Sequence, residues 1–212
     1  VEEDFGIKTG DPIIPYSEFI EMKNKKNLIA KAWDDRVGCA LFIDVIKELK
    51  KVKHPNTVYG AGTVQEEVGL RGAITSASVI DPDVSIIAEV GIAADVPGSK
   101  PEEVFGRLGK GPQVTILDGG MIPNLKLRDL VVEIAKKKKI PYQFFAIEGG
   151  RTDGHYIQLH SKGVPTLYLG VPTRYIHSHV GILNTDDYEN TLKLIIETIK
   201  VLDEKTVKNL IP

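Results

Sequence analysis

The chain has 212 residues and a formal net charge of −2. That is the length of one large domain able to bury a core on both faces of a sheet, with no electrostatic footprint for nucleic acid or an anionic membrane surface. A single cysteine, Cys39, leaves no disulfide framework and makes a reducing cytoplasm the expected compartment. No signal peptide opens the sequence, no apolar stretch is long enough to span a bilayer, and abundant Lys and Glu beside scarce Met tilt the composition toward a thermophile.

The first thirty residues are rich in turn formers and short extended pieces and read as the exit of a β-rich unit. A chain opening on "VEEDFGIKTGDP" without methionine also reads as cut from something longer. A helix is predicted over 36–51, with Cys39 in its apolar run and therefore in the core. Residues 57–65, "TVYGAGTVQ", are β-branched and aromatic enough to predict a buried strand over 58–65. A short helix follows at 71–79, then strands at 84–90 and 113–118. An amphipathic helix over 124–139 ends in "KKKK", where lysines complement a helix C-terminus and face solvent. Strands at 142–147 and 165–171 flank a helix near 154–162, and one long helix over 186–210 closes the chain. Alternating strands and helices predict an α/β fold, a three-layer sandwich around a mixed, mainly parallel sheet.

In such a sheet, sites gather beyond the C-terminal ends of the strands. "AWDDRVG" puts Asp34 and Asp35 before the first long helix, and "QEEVG" puts Glu66 and Glu67 after the next strand. "IAEVG" puts Glu89 late in another strand, and "RYIHSH" puts His177 and His179 after the last. Adjacent residues on a regular strand face opposite sides, so Glu66 and Glu67 can share a task only if the strand stops there, with Gly69 in a turn. The alternative is a charged edge of a solvated loop. Asp34 and Asp35 have an alternative too, as helix N-caps. Asp34, Glu67, Glu89 and His177 make an oxygen-rich set with one imidazole, suited to two divalent ions such as zinc, cobalt or manganese. Glu66 is then free as a general base. His155, His160 and His179 read as surface or supporting residues, and His54 as solvent-facing.

The order and spacing of "GIKTGDPI", "AWDDRVG", "GTVQEEVGLRGA", "EVGIAADVPG", "GGRTDGHYIQL" and "GVPTRYIHS" resemble the tetrahedral aminopeptidase family of co-catalytic metallopeptidases, which includes glutamyl and deblocking aminopeptidases. The resemblance implies a zinc-exopeptidase-like fold and a peptidase removing N-terminal residues from peptides, with two divalent metal ions, zinc or cobalt, per complete subunit. It makes Asp34 the bridging ligand, Glu67 and His177 ligands of one ion, Glu89 a ligand of the other, and Glu66 the general base. A cis peptide between Asp34 and Asp35 comes with it. "GGRTDG" departs from the family's shorter form by Arg151, and Thr152 and Asp153 are implied substrate contacts. The implied partners are peptides and other copies of the chain, as dimers assembling into a dodecamer.

The resemblance also implies what is missing. The family carries a further histidine in an "HxD" motif ahead of an inserted β-rich dimerisation domain, and no "HxD" occurs here. Residues 1–30 are then the end of that dimerisation domain and 31–212 the catalytic domain without its N-terminal part. A noncatalytic subunit, or a fragment unable to hold both ions, is the alternative. A carboxypeptidase-like or deacylating relative is a third reading, less favoured by the "DDR" and "QEEVGLRG" details.

Overall fold

The structure is a computed structural model that describes residues 2–211. In chain order its elements are helix α1 (Glu2–Phe5), strands β1 (Ile20–Glu21) and β2 (Asn27–Ala30), helices α2 (Trp33–Leu49) and α3 (Arg71–Ile80), and strand β3 (Ser85–Ile92). A single 3-10 turn at Pro101–Glu103 precedes β4 (Gln113–Leu117), α4 (Leu125–Lys138), β5 (Gln143–Ala146) and α5 (Gly154–Ile157). The chain ends with β6 (Thr166–Arg174), β7 (Gly181–Asn184), α6 (Thr185–Ile199) and α7 (Glu204–Leu210).

All seven strands join one mixed sheet in the order β1-β2-β7-β6-β4-β5, with β3 against the remaining edge of β6. The longest pairing is parallel and runs from Ser85 opposite Thr166 to Ile92 opposite Thr173. β4 is parallel to β5, whereas β6 is antiparallel to β4 and to β7. β6 alternates as a central strand must: Leu167 and Leu169 face a core shared with α2, α4, α6 and α7, and Tyr168 faces a second core shared with α3 and α5. Two helical layers enclose the sheet, the three-layer architecture expected.

Helix ends obey local chemistry. Asn124 caps α4 by accepting from Leu127 N at 2.9 Å, Asn184 caps α6 through Asp186 N at 2.9 Å, and Asp203 caps α7 through Thr206 N at 2.7 Å. The lysines at 136–139 are exposed, three of them in the last turn of α4.

Several expectations are corrected. No strand forms at 58–65; the segment crosses the molecule as irregular chain with no ladder to join. Cys39 is exposed, because the buried stripe of α2 is Val37, Leu41, Val45 and Leu49 at i, i+4 spacing, and residue 39 falls outside it. His54 is half-buried, its Nδ1 at 3.0 Å from Asn56. The helix near 154–162 is one turn long, and the closing helix breaks at 200–203, where Asp203 starts α7. At the N-terminal side of the sheet, β2 pairs with β7 from Asn27 opposite Asn184 to Ala30 opposite Gly181. Short β2 and β7 carried too few residues to show a period.

Candidate active site

Three chain segments converge on one point. The first is the start of α2. Asp34 and Asp35 have non-helical backbone angles and are joined by a cis peptide, so the regular helix begins after them. Asp35 Oδ1 accepts from Gly38 N at 2.8 Å, the N-cap role weighed for it. A Cβ on Gly38 would lie 2.1 Å from the Ala88 carbonyl oxygen, so glycine at this place in "DDRVG" lets the helix start sit on β3.

The second is the loop carrying Glu66 and Glu67. The backbone turns there, with Gly69 N and Leu70 N both donating to Glu66 O at 3.0 and 2.8 Å. Gly69 has φ 125°, open to glycine and strained for other residues. The two glutamates are therefore released from strand alternation and can both serve one site, as the pattern required.

The third is the loop between β6 and β7. Arg174, the last residue of β6, donates from Nε and Nη2 to both oxygens of Asp95 at 2.9 and 2.7 Å, a bidentate brace just before His177. Ser178 Oγ donates at 2.7 Å to Tyr175 O, inside the same loop. Trp33 Nε1 donates at 3.1 Å to Gly181 O, tying this loop to the residue preceding Asp34.

His177 Nε2 consequently stands 3.0 Å from Asp34 Oδ2 and 3.5 Å from Glu67 Oε2. One ligand atom from each of Asp34, Glu67 and His177 lies within 4.8 Å of the others, a donor set able to hold a divalent cation. Glu89 is not in that trio. It is half-buried on β3, and the neighbouring Asp35, Glu66, Asp34 and Asp153 all act on it.

The electrostatics are one-sided. Burial, then the charge of Glu67, raises Asp34. Burial first, then Asp153 and Glu67, lifts Glu66 to about 7. Burial also lifts Asp35 to about 7 and holds Glu89 well above the ordinary carboxylate range. Among the described residues, the basic side chain paired with Asp34 and Glu67 is His177, and no Lys or Arg neutralises this cluster. Carboxylates held this close in a half-dry site favour either protons or a bound cation.

Thr152 and Asp153 flank the cluster. Thr152 is buried and donates to Asp118 Oδ2 at 3.4 Å, away from the donor trio. Asp153 Oδ2 accepts from Thr63 Oγ1 at 2.5 Å, while its Oδ1 is buried with no partner. Sequence reading missed Thr63 and Tyr168. Tyr168 is fully buried, feels the charge of Glu89 and donates to Val90 O at 2.6 Å. Neither carries a local signal, since each looks like an ordinary strand residue. His155 and His160 serve the scaffold, against Gly120 O at 2.8 Å and Asp81 at 2.9 Å.

The family described as M42 glutamyl aminopeptidase matches residues 2–194, which contain every residue of this site. The chain belongs to that family. The M42 chain is 36% identical over 209 residues to the glutamyl aminopeptidase of Lactococcus lactis subsp. cremoris, covering 97% of this chain and 58% of that protein. It superposes with TM-score 0.95 and 48% identity on the TET aminopeptidase from the marine sediment archaeon Thaumarchaeota archaeon SCGC AB-539-E09, covering 98% of this chain and 58% of the other. A third structure, PhTET1-12s, a dodecamer in its asymmetric unit, gives TM-score 0.76 at 33% identity, over 88% of this chain and 54% of its own. The fold of this M42 chain is thus that of the zinc-exopeptidase-like aminopeptidases. It spans little more than half the length of these relatives.

Proposed function

We propose that the chain supplies the chemical centre of a metal-dependent aminopeptidase that removes N-terminal residues from peptides. The observation that carries this reading is the convergence of Asp34, Glu67 and His177 beside Glu66, a carboxylate whose proton affinity is near neutral. The donor set fits zinc or cobalt: two carboxylates and an imidazole, in a cluster with excess negative charge. Asp34, Glu67 and His177 would hold one ion, and Glu89, with Asp34 between, would serve a second. When bound, the metal supplies Lewis-acid polarisation of the scissile carbonyl and acidifies water. Glu66 takes a proton from the attacking water and delivers it to the leaving amine; a group with pKa about 7 is suited to both transfers. Asp153, which lines the cleft beside the cluster, is placed for substrate contact, whereas Thr152 is turned to Asp118.

A second reading, an incomplete fragment that does not turn over substrate alone, is favoured by one observation. Glu89 is not gathered with the other three donors, so the second ion has no complete site among the described residues. Residues 1–30, where Ile13, Ile14 and Tyr16 are exposed, would be the exit of a β-rich dimerisation unit, and assembly through dimers to a dodecamer is the proposed state of the whole protein. The single cysteine is exposed and unpaired, which suits the cytoplasm as its compartment. Metal titration by calorimetry, beside hydrolysis of an aminoacyl-anilide panel, tests the readings together. Tight binding with turnover supports the enzyme, tight binding of one equivalent without turnover supports the fragment, and no tight binding refutes both.

A further inference from the structure

His177 is the most exposed donor of the trio, its side chain 66% exposed against 57% for Glu67 and 13% for Asp34. In the loop that presents it, Tyr175, Ser178 and His179 are exposed as well, so packing does not hold it. Its backbone is also strained. Tyr175 and His177 have φ 60° and 58°, in the left-handed region that residues with side chains enter at a cost. An exposed loop with two such residues relaxes unless bonds enforce it.

Three sets of bonds do so. Inside the loop, Ser178 Oγ stands 2.7 Å from Tyr175 O and 2.6 Å from Val180 O. At its exit, Trp33 Nε1 donates to Gly181 O at 3.1 Å. At its entrance, Arg174 donates from Nε and Nη2 to the two oxygens of Asp95 at 2.9 and 2.7 Å, and Asp95 Oδ2 also accepts from Leu108 N at 3.3 Å. This last set reaches outward, into the long connection between β3 and β4.

That connection is itself fixed to the scaffold. Ala93 N donates to Thr173 O and Ala94 N to Gly106 O, both at 3.0 Å. Gly109 and Gly111, at φ 76° and 85°, turn their N–H groups to Asp187, which accepts from them at 2.6 and 2.7 Å. Asp187 is fully buried in the first turn of α6. Gln143, at the start of β5, accepts from Arg107 N and donates to Arg107 O and Gly111 O, each at 2.9 Å. Asp95 therefore stands on a base that does not follow the loop, and the planar guanidinium fork passes its position to Arg174. The two side chains are only 15% and 27% exposed, so water competes with this pair less than with a surface ion pair.

We propose that Asp95 and Arg174 are positioning residues for His177. The ion pair, seated on the turn at 106–111 and on Asp187, fixes the left-handed loop that brings His177 Nε2 to 3.0 Å from Asp34 and 3.5 Å from Glu67. An ion pair that served packing alone would be indifferent to whether His177 can meet a cation. The inference rests on the metal-dependent reading above for what His177 is held to meet; how the loop is held does not depend on that reading.

The test titrates Co²⁺ into the chain and follows the visible absorption that coordination gives it. Asp95→Asn keeps the shape and removes the charge, and Arg174→Lys keeps the charge and removes the fork. Each should weaken Co²⁺ binding by about 10–100-fold, the usual cost of losing a partner that orients a ligand. Asp95→Glu, which keeps a carboxylate, should lose less than Asp95→Asn. In a His177→Ala chain, Asp95→Asn should add no further loss, because the pair acts through His177. A second readout needs no metal. Trp33 is the sole tryptophan, and its indole N–H, bonded to Gly181 O, should exchange at least about tenfold faster in Asp95→Asn than in the parent chain. Unchanged Co²⁺ affinity in both variants, a further loss on the His177→Ala background, or unchanged Trp33 exchange would overturn the proposal. A parent chain that takes up no Co²⁺ would refute the peptidase reading and the cation half of this one, and Trp33 exchange would still decide whether the pair sets the loop.

Discussion

β3 and β6 run side by side in parallel register, yet they live in different environments. β6 is buried from Thr166 to Thr173, with β3 on one edge and β4 and β7 on the other. Among the described residues β3 has one strand neighbour; it carries Glu89 in its middle and faces an open cleft. The closed side holds large apolar side chains at close packing, which gives stability and leaves no room for chemistry. The open side gathers carboxylates whose mutual repulsion and burial oppose folding, an arrangement that a bound cation would offset. Stability and reactivity are thus laid out on adjacent strands.

Substitutions should separate the two sides, beginning with the largest effect. Glu66→Gln in the competent protein should lower the hydrolysis rate about 10²–10⁴-fold with metal content unchanged, because it removes a proton acceptor and not a ligand. Glu67→Gln should lose metal and activity together and recover in part when metal is added. Metal analysis beside anilide hydrolysis reads both; loss of metal from Glu66→Gln with retention in Glu67→Gln would invert the assignment.

On the closed side, Leu169→Ala should cost about 2–5 kcal/mol in denaturant unfolding, since Leu169 is fully buried between two helices' side chains and its neighbours on the sheet. Ile86→Ala, half-buried at the cleft, should cost about 1 kcal/mol or less in the isolated chain. Equal costs would break the contrast between the strands.

The pH dependence gives a third, smaller handle. Asp34, Asp35, Glu66, Glu89 and Asp153 all have folded-state pKa values raised above their unfolded ones, mainly by burial. The folded chain therefore binds more protons than the unfolded chain, so metal-free stability should fall as pH rises from the ordinary carboxylate range through about 7. Thermal unfolding at pH 5 and pH 7.5 with chelator present checks the sign, and Glu66→Gln should flatten the slope. Stability rising across that window would refute the one-sided charge of the site.

The smallest effect is expected from a cap. Asp203→Ala removes the acceptor for Thr206 N at the start of α7 and should lower stability by less than any substitution above, with no change in metal binding.

Much of this was readable in the residues. The 3.6-residue period over 124–139 gave α4 almost to its ends, and the apolar run at 84–90 gave β3. The doublet at 66–67 followed by Gly69 announced a turn, because two adjacent carboxylates cannot serve one point from a regular strand. Asp34, Glu67, Glu89 and His177 were read as one set from donor type and order, and the structure brings together three of the four. Cys39 was misread because an apolar run does not say which of its residues face the packed side.

The sequence by itself determined what is local: helix periods, caps, turn glycines and the inventory of ligating side chains. Whether "TVYGAGTVQ" becomes a strand lay outside its reach, since a strand exists only when another edge pairs with it, and here none does. The tertiary structure alone decided that Asp34, Glu67 and His177, distant from one another along the chain, stand within 4.8 Å, that Glu89 does not join them, and that Asp153 is tied to Thr63. These are long-range distances set by how helices pack on the sheet, and no local preference encodes them.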